Sequence, residues 1–152
     1  MSKVPGMTQG DIDLVRSTYP ALEKKLFSLI RTFYVRFCEQ NPEYRLYFQS
    51  GNKQVHKLAE SFMSIYVGLE FWEVTHQHLL HIGAIHAKYR LTEDHFAKFG
   101  ESLIWAFQKE LPETFTEEVE LAWSRLYKVV VGTMLKGMRD AIENEESLPF
   151  AA

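Results

Sequence analysis

Three polar side chains fall where a helical pattern of apolar residues expects apolar ones: His86, Tyr34 and Gln54. Burying a polar group without a partner is costly, so each should have a defined task. Leu79 and Ile82 precede His86 by seven and four residues, which puts all three on one helix face and turns the imidazole inward. An inward imidazole is either a hydrogen-bonded core residue or a metal ligand. His81 shares its face with Gln77, His78 and Lys88 and should look toward solvent. His76, His78 and His81 could meet at a zinc ion, but no Cys, Asp or Glu completes a tight site with them. Tyr34 lies four residues after Ile30, with Phe27 and Phe37 nearby and Cys38 one turn on. Its phenol can reach a backbone carbonyl, as core tyrosines do, or donate to a ligand. Gln54 heads a stripe of Leu58, Phe62 and Ile65, and is either a solvated first-turn residue or a donor amide.

The elements that carry these residues read as helices. Thr8 caps a short first helix, with Asp11 as its acidic first-turn residue. Pro20 suits the first turn of a second helix, whose stripe is Leu22, Leu26, Leu29, Ile30, Phe33 and Phe37. Asn41-Pro42 ends it and begins a short turn of helix through Phe48. A helix from about Lys53 to Leu69 follows, and another covers roughly Phe71 to Tyr89. Thr92 caps the next, with Phe96, Phe99, Leu103, Ile104 and Phe107 on its stripe, until Leu111-Pro112 breaks it. Thr116 caps the last, with Val119, Ala122, Trp123, Leu126, Val130 and Met134 on its buried face and fraying expected after Glu143. Strand signals are weak, since Val129-Val130-Val131 sits inside a helical pattern. The expected fold is all-α, about seven helices in a single domain spanning residues 1–152.

Length and composition agree. A chain of 152 residues can bury a proper core without disulfides or a structural metal. Aromatic residues make up 14% of it and include 11 Phe, enough for a large aromatic core or for a cavity that takes a flat ligand. A net charge of −3 implies no basic patch, so neither nucleic acid nor an anionic membrane is an expected partner. Cys38 is the only cysteine, which excludes an internal disulfide and suits a reducing, cytoplasmic setting. No run of 18 apolar residues exists to span a membrane, and the first ten residues do not read as a secretory signal.

In order, these residues resemble a family. Phe33-Tyr34-Val35-Arg36-Phe37, then Asn41-Pro42-Glu43, Leu46-Tyr47-Phe48 and Gln54-Val55-His56-Lys57-Leu58 resemble the early helices of bacterial globins and of the haem domain of flavohaemoglobins. Ile82-Gly83-Ala84-Ile85-His86, with Phe96 ten residues on and then Gly100, is similar to the globin stretch around the iron-binding histidine. Ala122-Trp123 with Tyr127 resembles the start of the final globin helix. The resemblance spans about Thr8 to Met138 and implies a globin-like fold around haem b. It implies His86 as the iron ligand, Phe48 packed on the haem face, Tyr34 and Gln54 as the polar pair facing a bound gas, and Leu58 as the apolar residue beside it. Phe96 and Met138 depart from the pattern, standing where flavohaemoglobins usually have Tyr and Glu. That removes a polar network behind His86, and with it a basis for strong electron push to iron. The stretch between Phe48 and Gln54 is also shorter, and no room is left for a flavin reductase domain.

The function this implies is reversible binding of dioxygen, or of another small gas such as NO or CO. The enzyme alternative is nitric oxide dioxygenation. It would need an external reductase, since no G-x-G-x-x-G fingerprint is present. A haem-based gas sensor module is the third class.

Overall fold

The computed structural model describes residues 3–48 and 51–147, with side chains described at all of these except 47, 48, 146 and 147. Six α-helices make up most of it: α1 (Gln9–Ser17), α2 (Tyr19–Gln40), α3 (Asn52–Gly68), α4 (Trp72–His86), α5 (Glu93–Glu110) and α6 (Glu117–Ser147). Two 3-10 segments join them, Pro42–Phe48 and Ala87–Tyr89. Among the described residues there is no strand. The fold is all-α, as expected, and the expected short helix after Asn41 takes the tighter 3-10 form. The expected Phe71–Tyr89 helix is divided: α4 ends at His86, the chain tightens, and Arg90 closes it at a left-handed φ of 50°. Helix α6 continues past Glu143 to Ser147, and Pro149 lies outside the described residues.

All six residues of the α2 stripe are buried, and Leu29, Ile30 and Phe33 have no exposed surface. They anchor α2 against α5 and, more lightly, α3. The Phe33 ring centroid lies 4.5 Å from that of Phe99, and Phe37 stacks on Tyr44 at 5.1 Å. At the other end of the core, Trp123 of α6 lies 5.1 Å from both Phe62 and Phe107. Offset and tilted ring pairs of this kind contribute beyond their buried area.

Helix α4 packs chiefly on α6 and only lightly on α3. The two backbones meet at glycines: a Cβ on Gly83 would collide with the carbonyl of Met134, and one on Gly137 with the carbonyl of Leu80. No side chain intervenes at either contact.

Helix α1 is tied down at its start. Thr8 Oγ1 accepts from the Asp11 N–H at 3.1 Å, and Asp11 Oδ2 accepts from the Thr8 N–H at 2.9 Å, a closed capping box. The other carboxylate oxygen accepts from Arg125 of α6 at 2.6 Å. The Thr8 N–H, ahead of Arg125, holds the Asp11 carboxyl below its usual range despite its burial. A depressed pKa stabilises the fold above the unfolded value near 3.8, and the contribution is lost as pH falls through the folded value. Asp11→Asn should therefore cost about 1.5–3 kcal/mol at neutral pH, the worth of a charge-assisted hydrogen bond. In urea titrations, the gap between wild type and Asp11→Asn should close as pH drops below about 4.

Candidate haem site

His86 is the last residue of α4, half-buried, and its Nδ1 lies 2.8 Å from the carbonyl oxygen of Ile82 one turn back. A carbonyl can only accept, so Nδ1 carries a proton, and in the neutral ring Nε2 is the nitrogen with the lone pair. That tautomer suits a metal ligand, because the backbone bond also fixes the ring orientation. Tyr89 flanks the imidazole, with ring centroids 6.1 Å apart.

Tyr34 and Gln54 come together. Tyr34 sits on α2 beside Phe33, at a centroid distance of 5.0 Å. Gln54 sits in the first turn of α3, its N–H bonded at 3.1 Å to the carbonyl of Gly51, whose φ of 57° sets the helix start. Burial pushes the Tyr34 phenol up to about 12, and the hydrogen-bonding side chain of Gln54 opposes that rise. The phenol and the amide are thus paired, each half-buried. Leu58, one turn after Gln54, is half-buried and packed against the core. Phe48 closes the first 3-10 segment, and its side chain is outside the described set.

Other histidines do different work. His95 accepts the Thr92 N–H at 2.8 Å and so helps cap α5. His76 lies against the ring of Trp72. Among the described residues, no group of three or more His, Cys, Asp or Glu is placed to hold a metal ion, which removes the zinc alternative for His76, His78 and His81. Tyr127 gains a role that sequence reading did not give it. Its phenol donates at 2.5 Å to the carbonyl of Phe96, while its ring covers Gly100 so closely that no Cβ would fit there. Only the glycine at position 100 hinted at that close approach. Met138 is buried, 3% exposed.

The Globin family model matches residues 31–134, and the chain belongs to the globin family. The flavohemoprotein of Vibrio cholerae is 26% identical over 125 residues, 80% of this chain and 32% of that protein. Flavohemoprotein B of Dictyostelium discoideum is 24% identical over 147 residues, 93% of this chain and 34% of that protein. The chain thus spans about a third of the length of the curated relatives it matches. A solved structure from Rhodothermus marinus, an engineered carbene transferase named for a nitric oxide dioxygenase, superposes with a TM-score of 0.79 at 22% identity. The superposition covers 93% of this chain and 99% of that one, and it bears on the fold alone.

A phenol held neutral by burial stabilises the fold below pH 10, and this stability is lost as pH rises from 10 through about 12. Tyr34→Phe should flatten the alkaline loss of stability over that window in pH-dependent denaturant melts. Gln54→Leu should steepen it, since the amide opposes the upward shift.

Proposed function

We propose that this chain is one globin domain that holds haem b through His86 and binds a diatomic gas reversibly, dioxygen foremost. Haem is the cofactor that globin membership implies. The observation that carries the reading is the hydrogen bond from His86 Nδ1–H to the Ile82 carbonyl, which orients the ring and leaves Nε2 as the nitrogen to ligate. The donor set fits an iron porphyrin: one neutral imidazole on α4, and a paired phenol and amide on α2 and α3. Haem supplies the iron that binds the gas. Tyr34 and Gln54 supply hydrogen bonds to a bound diatomic that gains negative charge, and the high pKa keeps Tyr34 a donor at neutral pH. Leu58, and Phe48 by family resemblance, supply apolar contact. A cytoplasmic setting belongs to the same proposal.

Reversible binding is favoured over nitric oxide dioxygenation by the surroundings of His86. Its Nδ1 faces a neutral backbone carbonyl, where an anionic partner would raise ligand basicity more. Phe96 and Met138 carry no proton-accepting side chain, and the Tyr127 phenol is engaged by the Phe96 carbonyl. The names of the flavohemoprotein relatives and of the Rhodothermus marinus protein keep dioxygenation as the second reading, with a separate reductase as its partner.

Absorption spectra of the purified protein, oxidised and then reduced, should carry haem bands. His86→Ala should lose the normal gas-binding spectrum and retain haem poorly, and His81→Ala should keep both. The reverse result would mean another histidine is the ligand. Tyr34→Phe should speed dioxygen release by roughly ten- to a hundredfold, because a hydrogen bond to a charged partner contributes about 1.5–3 kcal/mol and each 1.4 kcal/mol is about tenfold. Carbon monoxide gains less charge, so its release should change far less. Stopped-flow dissociation of both gases checks the contrast, and equal effects would reduce Tyr34 to a core residue.

A further inference from the structure

We propose that Gly83 and Gly137 are positioning residues for His86: they set the separation of α4 and α6, and through it the location of the imidazole Nε2. The inference rests on the reading of His86 as the haem ligand.

Three observations carry it. First, the contact is backbone on backbone and reciprocal. A Cβ on Gly83 would meet the Met134 carbonyl oxygen and stand 2.8 Å from its Cα. A Cβ on Gly137 would meet the Leu80 carbonyl oxygen and stand 3.0 Å from its Cα. No rotamer change can relieve such a clash, so the helices themselves must part. Carbon atoms prefer about 3.5–4.0 Å, so alanine at either site demands an opening of roughly 1 Å.

Second, α4 is the element free to move. Helix α6 is held by α1 and by Ala122, Trp123 and Leu126 in the core, while α4 has only light contact with anything except α6. Third, His86 follows Gly83 by three residues, and the carbonyl that orients its ring belongs to Ile82, directly before Gly83. A displacement at Gly83 therefore carries the imidazole and its acceptor together. Metal–ligand distances tolerate about ±0.2 Å, several times less than this displacement. Glycine inside a helix is less stable than alanine, and both contacts use the one residue type that lets a carbonyl reach a Cα.

The test compares Gly83→Ala and Gly137→Ala with Gly68→Ala. Gly68 is an equally tight glycine, but it packs against the side chain of Thr75 at the start of α4, away from His86. The readouts are the iron–histidine stretching band of the ferrous protein in resonance Raman spectra, the rate of haem transfer to an acceptor apoglobin, and the far-UV circular dichroism of each apoprotein. Gly83→Ala and Gly137→Ala should shift or abolish the band and speed haem loss at least tenfold with apoprotein helicity kept. Gly68→Ala should leave the band in place. In a His86→Gly background supplied with free imidazole, the ligand is no longer tied to α4, so adding Gly137→Ala should change haem retention little.

Unchanged bands in both crossing variants would overturn the inference, as would the same shift in Gly68→Ala. Loss of apoprotein helicity in both crossing variants would make the contact a requirement for folding and would overturn it too. A wild-type protein without an iron–histidine band would instead overturn the haem reading, and this inference with it.

Discussion

A lone pair can be offered at a fixed point only when tautomer, ring orientation and helix position are all fixed. In this chain one hydrogen bond, from His86 Nδ1 to the Ile82 carbonyl, orients the ring and favours the proton on Nδ1. The third depends on how α4 sits on α6, because little else touches α4. Much of the arrangement serves that contact. Thr75 at the start of α4 donates at 2.9 Å to the Gly68 carbonyl and fixes the corner after α3. At the far end, the chain tightens into Ala87–Tyr89 and turns at Arg90, so the residue after His86 leaves the α-helix at once.

Burial acts on three acidic groups with different results. At Tyr34 and Tyr127 desolvation dominates and the phenols stay protonated, hence able to donate. At Asp11 the Thr8 N–H and Arg125 overcome desolvation, and the carboxylate stays charged. The charge thus lies at the α1–α6 junction, while the neutral donors lie among the aromatic residues of α2, α5 and α6. A buried phenol kept neutral needs no counter-charge, whereas the Asp11 carboxylate is sustained by its own donors, the Thr8 N–H and Arg125.

The helices were legible because their stripes are long and regular. Every residue of the α2 stripe from Leu22 to Phe37 is buried, and the caps at Thr8 and Thr92 hold their helices as the residue types imply. The pairing of Tyr34 with Gln54 was legible only through resemblance, since twenty residues and a turn separate them. Other features were not legible. A glycine in a helix looks the same in sequence whether it is a defect or a crossing point, so Gly83 and Gly137 gave no warning. His95 reads as one more histidine until its backbone geometry shows it accepting from the Thr92 N–H. The 3-10 form of Ala87–Tyr89 follows from how the chain leaves α4, which no periodicity records. The roles of Leu58 and Phe48 still rest on family resemblance.

The junction of α1 with α6 has a consequence for the order in which the molecule is made. Asp11 and Arg125 are 114 positions apart, and α1 packs on α6 far more than on its neighbour α2. At synthesis rates of about 5–20 residues per second, α1 leaves the ribosome roughly 6 to 23 seconds before its main support exists. Until then α1, with its apolar Ile12 and Val15, lacks most of its packing surface and is held only by its lighter contacts with α2 and α3. The nascent chain can assemble α2 with α3 and α5 early, but its first helix is among the last to be seated.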